Sequence, residues 1–217
     1  NDVFELRAKE VQLGFLKMLR GTSLRRDADK YGYKYDTEAP YEIVCNNDIS
    51  PEDLSRIHEA EHALEKFWNS GRFPKTMKTV FKNYYKGQYF EFFDEAGQYY
   101  KEKQYPHRGY QLEDLFRYLY AFFLSKDINL FGTLRTDYYN NFRRKPQGFW
   151  EDEIGKQRKK QLLYQIGQDK TFLNKYGLNR KILEKHTAID TLNKNTYQLT
   201  LFLPEGNKTL DYTFPEN

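Results

Sequence analysis

From Ser50 to Gln168 the apolar residues of this chain recur every three or four positions between regular stops, and from Thr196 onward they alternate. The first period is that of a helix with one buried face. The second is that of a half-buried strand. A chain written this way folds mainly as α-helices, a bundle-like domain closed by a small antiparallel hairpin. The best-marked helix opens with Ser50 as N-cap, Pro51 at the first helical position and Asp53 in the first turn. Leu54, Ile57, Glu61, Leu64 and Trp68 follow at helical spacing, and Asn69-Ser70-Gly71 ends the run.

The same reading gives a second helix from Pro74 to the stop at Gly87 and a third over Tyr89 to Tyr100. A fourth covers Leu112 to Ser125, a fifth about Asn129 to Asn141, and a sixth about Glu151 to Gln168. Short helices are expected at Leu24 to Tyr31, closed by Gly32, at Thr171 to Tyr176 and at Arg180 to Lys185. Thr196 to Leu203 and Leu210 to Phe214 are strands, with Glu205-Gly206-Asn207 as the turn, and Thr187 to Leu192 can add a third. A lone hairpin is marginal in water, so it must lie against helices. Tyr41 to Cys45 reads as a short strand. The apolar run Val11 to Leu19 fits either a buried strand or a short helix, and periodicity leaves both open.

Composition narrows the class. Tyr 19, Phe 17 and Trp 2 make 18% of the chain aromatic, which supplies a core rich in rings. Lys+Arg 35 against Asp+Glu 31 leaves a net charge of +4, which demands neither nucleic acid nor an anionic membrane as partner. One cysteine, Cys45, excludes internal disulfides and any site needing several thiolates. The longest apolar run, Tyr118 to Leu124, is far short of the roughly 18 residues of a membrane span, and a cytoplasmic location is expected. The chain begins at Asn1 with no signal-peptide pattern, so it is expected to be a piece of a longer polypeptide.

Few motifs carry chemistry. His58-Glu59-Ala60-Glu61-His62 spells H-E-x-x-H, in which two histidines one helical turn apart share a zinc and the glutamate acts as base. Against this, Glu61 sets a charge inside the motif, and both histidines fall off the Leu54/Ile57/Leu64/Trp68 face; His107 or His186 would have to complete the site. The preferred reading is a solvated helix edge. Cys45 follows Glu42-Ile43-Val44 and reads as a buried structural thiol rather than a nucleophile. Arg143-Arg144-Lys145 and Arg158-Lys159-Lys160 stand near Phe142, Phe149 and Trp150, a basic–aromatic pattern that suits single-stranded nucleic acid. Glu151-Asp152-Glu153 interrupts it, so a solvated face over core aromatics is preferred. Glycine-rich phosphate loops and the G-x-S-x-G elbow are absent.

Three blocks carry a family likeness: Val11-Gln-Leu-Gly-Phe-Leu-Lys-Met-Leu-Arg-Gly-Thr22, Ala39-Pro-Tyr-Glu-Ile-Val44 and Phe67-Trp-Asn-Ser-Gly-Arg-Phe73, with Leu134-Arg-Thr-Asp-Tyr138 as a weaker fourth. Together they resemble the C-terminal region of radical S-adenosylmethionine (SAM) proteins with an N-terminal cobalamin-binding domain. That group is described as Fe–S oxidoreductases, or as anaerobic magnesium-protoporphyrin IX monomethyl ester oxidative cyclase-like proteins. The resemblance implies that residues 1–35 end an upstream α/β barrel, with Val11 to Leu19 as a late strand and Gly21-Thr22 the turn at its C-terminal end, where barrel active sites sit. Residues 36–217 would be a C-terminal helical domain.

The same resemblance implies a parent enzyme with a 4Fe–4S cluster, S-adenosylmethionine and cobalamin. With a single cysteine and no D-x-H-x-x-G, this piece is expected to hold none of them and to carry no catalytic residue. Its partners would be the upstream barrel and cobalamin domain of the same polypeptide, with a small-molecule substrate. Gln12, Lys17, Gly21 and Thr22 would lie nearest the barrel mouth, and Tyr41 and Glu42 would reach it from the following loop. Two readings from other classes stand beside this one: an RNA- or protein-binding helical module using the basic–aromatic surface, and a zinc hydrolase through His58 and His62.

Overall fold

The computed structural model describes residues 2–6, 8–144 and 154–215. It is mainly helical, with one small two-stranded and one three-stranded antiparallel sheet among the described residues. The chain divides into two compact units, Asn1–Leu134 and Arg135–Asn217. None of its described helices is long and apolar enough to cross a membrane.

In the first unit a single helical turn, α1 (Asp2–Glu5), comes before a stretch without regular structure over residues 8–19 and a turn at Arg20-Gly21. Val11 to Leu19 is therefore neither helix nor full strand. Its one ladder contact is an isolated antiparallel bridge between Lys17 and Glu42. Helix α2 (Ser23–Arg26) and a 3₁₀ turn (Ala28–Tyr31) follow, and Gly32 closes them at φ 65°. A side chain at Gly32 would also run into Asn47, so glycine is required twice over. Strands β1 (Lys34–Tyr35) and β2 (Ile43–Cys45) pair antiparallel.

Helix α3 (Pro51–Leu64) starts as the sequence signals. The Ser50 hydroxyl oxygen accepts from Asp53 N at 3.0 Å and the hydroxyl donates to Asp53 Oδ2 at 2.8 Å. The helix then widens into a π turn, Glu65–Asn69, before stopping at Gly71. Helix α4 (Pro74–Thr79) repeats the device with a π turn at Val80–Tyr84. Helix α5 (Tyr89–Glu102) packs on α3 through Gly97, where a Cβ would overlap the backbone of Glu59 and Ala60. Helix α6 (Leu112–Ser125) opens on a capping box between Gln111 and Asp114. Between these helices the core is mostly rings: Phe92 meets Phe81 at 5.3 Å edge-on and Phe122 at 6.0 Å, and Phe73 meets Phe116 at 4.4 Å.

The division between the units falls inside α7 (Phe131–Phe142). In the second unit α8 (Lys156–Ile166), α9 (Lys170–Tyr176) and α10 (Arg180–His186) precede strands β3 (Thr187–Thr191), β4 (Thr196–Leu203) and β5 (Gly206–Thr213), in sheet order β3-β4-β5. The expected hairpin is present, and the third strand joins it. Leu203 pairs with Gly206, so the turn is Pro204-Glu205 and not Glu205-Gly206-Asn207. Proline fits because it fixes φ at a turn and has no N–H for the ladder to lose. Leu162 and Ile166 of α8, Leu183 of α10, and Ile189, Leu199 and Leu201 of the sheet share one buried core. Asp169 caps α9 by accepting from Phe172 N at 2.9 Å, and also accepts from the Tyr212 hydroxyl at 3.1 Å.

Candidate functional site

The residues assigned to the barrel mouth come together in part. At the Lys17–Glu42 bridge, Met18 N donates to Tyr41 O at 2.8 Å and Ile43 N donates to Leu16 O at 3.0 Å. Tyr41 sits at φ 59°, a left-handed conformation that costs a non-glycine residue about 1–3 kcal/mol. Its ring lies under the guanidinium groups of Arg20 and Arg25, at 5.5 and 5.1 Å. Arg25 also donates from Nη1 to Met18 O at 2.9 Å. Thr22 caps α2, accepting from Arg25 N at 3.3 Å while its hydroxyl donates to Leu19 O at 2.8 Å. Gly21, Thr22, Arg20, Arg25, Arg26 and Tyr35 line an open, cationic notch of about 510 Å³. Gln12 turns elsewhere and donates from Nε2 to Glu10 Oε1 at 2.9 Å.

The second arm of the site comes from α3. Glu42 Oε1 lies 3.0 Å from His58 Nε2, and the Phe15 ring stacks on the His58 imidazole at 3.6 Å. The mouth residues and the H-E-x-x-H helix, separate in the sequence, therefore touch. One turn on, the His62 ring stands 4.3 Å from the His107 ring. His62 Nδ1 is 3.4 Å from Glu61 Oε2, and His107 Nε2 is 3.4 Å from Glu59 Oε2. Burial, and then the positive neighbours His107 and Lys66, push His62 down to about 4. Its imidazole is neutral at pH 7, and the Glu61 contact is not an ion pair. Burial raises the Glu61 carboxyl, and Glu65 adds to the shift.

Lys66 sits behind this pair, only 6% exposed. Its ammonium lies over the rings of Tyr100 at 5.1 Å and Tyr110 at 5.8 Å. Burial lowers its pKa, while Glu61, Glu59 and Glu65 oppose the shift. Burial, with the neighbouring Tyr118 and Tyr110 phenols, raises Tyr100 above the ordinary tyrosine range. The arrangement offers a neutral imidazole, a buried lysine and the Tyr100 phenol, which burial keeps protonated. It can accept and donate hydrogen bonds to a polar ligand, and it holds no marked nucleophile.

Among the described residues the zinc geometry does not form. His58 faces Glu42, His62 faces His107, and Glu59, which that reading makes the base, also faces His107. Among the described residues no three His, Cys, Asp or Glu side chains gather as a metal would need. Cys45 is free and buried in β2. Within the basic–aromatic pattern Arg143, Arg144, Arg158 and Lys160 are exposed. Arg143 donates to Leu203 O, Arg144 lies 6.0 Å from the Phe142 ring centre, and Lys159 is buried. Lys145, Phe149, Trp150 and Glu151-Asp152-Glu153 lie outside the described residues. The sequence raised His107 only as a third ligand for His58 and His62, and it does come beside His62; nothing marked Lys66 or Tyr110, which join through the α3 π turn and the loop before α6.

A family model matches residues 29–207, spanning both units. The chain belongs to the DUF4080 family. That family is described as proteins of unknown function. The DUF4080 match takes in Tyr41, Glu42, His58 and His62 and begins after Gln12, Lys17, Gly21 and Thr22. Searches of the curated proteins and of the solved structures give no match. In this DUF4080 chain the notch and the Glu42–His58 contact thus straddle the start of the matched region.

Proposed function

We propose that this chain is the non-catalytic C-terminal domain of a cobalamin-dependent radical SAM enzyme, packed on the upstream barrel of the same polypeptide and shaping or covering its substrate site. The supporting observation is the unfinished edge of the first unit. Val11 to Leu19 is an apolar stretch, yet among the described residues it makes a single bridge. Leu13, Leu16 and Leu19 are 39%, 39% and 52% exposed, and Val44 of β2 is 39% exposed. A strand neighbour would pair with this edge and bury the part of these side chains still exposed, roughly half of the ~1.5–3 kcal/mol that full burial of such a side chain gives. On this reading residues 1–35 end the barrel and residues 36–217 form the appendage. Lys17, Gly21, Thr22, Tyr41 and Glu42 then stand at the mouth, where they hold substrate and exclude water from radical intermediates.

The 4Fe–4S cluster, the S-adenosylmethionine and the cobalamin belong to the upstream part in this proposal; bound there, they supply the radical chemistry. The test is anaerobic purification of the polypeptide that contains this chain, followed by iron and cobalt analysis and an assay of S-adenosylmethionine cleavage. Iron, cobalt and cleavage are expected. Replacing Leu13, Leu16 and Leu19 by serine is expected to slow substrate turnover while cleavage persists. A polypeptide that binds neither iron nor cobalt rules the reading out.

A further inference from the structure

The two π turns line one cavity. Phe67 and Trp68 of the first and Phe81 and Lys82 of the second border a hollow of about 570 Å³ in the first unit. Phe73 and Met77, both buried, floor it. Phe4 stacks on Tyr89 at 4.6 Å and meets Trp68 edge-on at 5.3 Å at its border. Single π turns interrupt helices at a cost and recur at functional sites. Two converging on one hollow is the first sign of a ligand.

Chemistry gives the second sign. The walls are almost wholly aromatic and aliphatic, and the volume is that of a small-molecule pocket. The indole N–H of Trp68 is buried without an acceptor among the described residues. That nitrogen has almost no solvent-accessible surface, so the apolar walls and the charge at the border define the ligand. Around the border stand Lys9, Lys78 and Lys82, all exposed. Three cations beside an apolar hollow favour an anionic headgroup over a neutral one.

We propose that this cavity binds a small amphiphilic anion, with an apolar body against Trp68, Phe73, Met77 and Phe81 and a carboxylate or phosphate at Lys78 and Lys82. The inference is independent of the radical SAM reading, since it uses no residue of the mouth. The test is calorimetric titration of the full chain with 2-naphthoate and with decanoate, a flat and a flexible body carrying the same headgroup, and with the two corresponding alcohols. At least one acid is expected to bind at one site, and more tightly than its alcohol. The Lys78→Glu/Lys82→Glu double variant is expected to weaken that acid by about tenfold or more at low salt. Met77→Trp, which fills the floor, is expected to abolish binding.

Whichever acid binds the tighter identifies the body as flat or flexible, and both outcomes support the site. Failure of both acids up to millimolar concentration overturns the proposal. So does an alcohol that matches its acid, or an affinity that the lysine variant leaves unchanged. The exposed lysine variant keeps the test decisive if Met77→Trp does not fold.

Discussion

Glu42 Oε1 stands 3.0 Å from His58 Nε2, joining the loop after β1 to the middle of α3. Both side chains are partly exposed, so the pair is worth no more than about 1 kcal/mol to stability. Its placement beside the Lys17 bridge is what ties it to the mouth. Glu42→Gln is expected to shift the chemical-denaturation midpoint only slightly, within that bound. In the intact polypeptide the same change is expected to lower substrate turnover about tenfold or more, the scale of a lost positioning contact, while S-adenosylmethionine cleavage continues. Equal losses in cleavage and turnover would remove Glu42 from the site.

His62 gives a pH prediction of definite sign. Its folded pKa is about 4 against an ordinary 6.5, so the folded state resists the proton that the unfolded chain accepts. Above pH 6.5 both states are neutral and the group has no effect. As pH falls from about 6.5 to about 4 the unfolded state gains protons first, and stability drops. Glu61, whose pKa is raised, offsets part of this near the lower end. Nuclear magnetic resonance should show the His62 ring still neutral at pH 5.5, and His62→Gln should flatten the acid limb of the stability curve. A ring that titrates near 6.5 contradicts the burial described for it.

Gly97 should be intolerant of any side chain. Its Cα faces the backbone of Glu59 and Ala60, and alanine there would force α3 and α5 apart. Overpacking of this kind costs about 1–3 kcal/mol, more than the helical propensity that alanine returns. Gly97→Ala should lower the melting temperature, and Ala60→Gly combined with it should not rescue the loss, because the clash is with main chain. A Gly97→Ala chain as stable as the parent would mean that the helices are not this close.

The second unit has its own core, so its damage should stay local. Leu199 of β4 is fully buried among Leu162, Ile166 and Leu183, and truncation to alanine removes about 2–5 kcal/mol. Hydrogen exchange on Leu199→Ala is expected to speed up over α8 and β3 to β5 while α3 and α5 stay protected. Uniform loss of protection across the chain would show that the two units unfold as one.

Helix starts and strand alternation were legible because they depend on neighbours in the chain. Ser50-Pro51, Gln111 with Asp114, and Thr196 to Leu203 each carry their own local chemistry. The turn is Pro204-Glu205 rather than Glu205-Gly206-Asn207 because Gly206 and Asn207 already pair with Leu203 and Phe202 as the first rungs of the ladder. The polar cluster was not legible. Lys66 falls opposite Leu64 at 100° per residue and reads as solvent-facing, but Tyr100 of α5 and Tyr110 of the loop before α6 cover it. His107 enters from a loop whose path depends on Tyr100 donating to Pro106 O at 2.8 Å, a long-reach fact with no periodic trace. The Glu42–His58 contact joins a loop to a helix and leaves no local pattern in the sequence.

A π turn holds one residue more than the winding around it requires. Removing a single residue from 65–69, or from 80–84, would let the helix close up as an ordinary spiral and would swing every side chain beyond it by roughly 100°. Trp68 and Phe81 would then leave the hollow they border. In this fold the shape of the cavity is therefore governed by a count of residues at two places. A deletion there acts as a coarse adjustment, while exchange of one ring for another acts as a fine one.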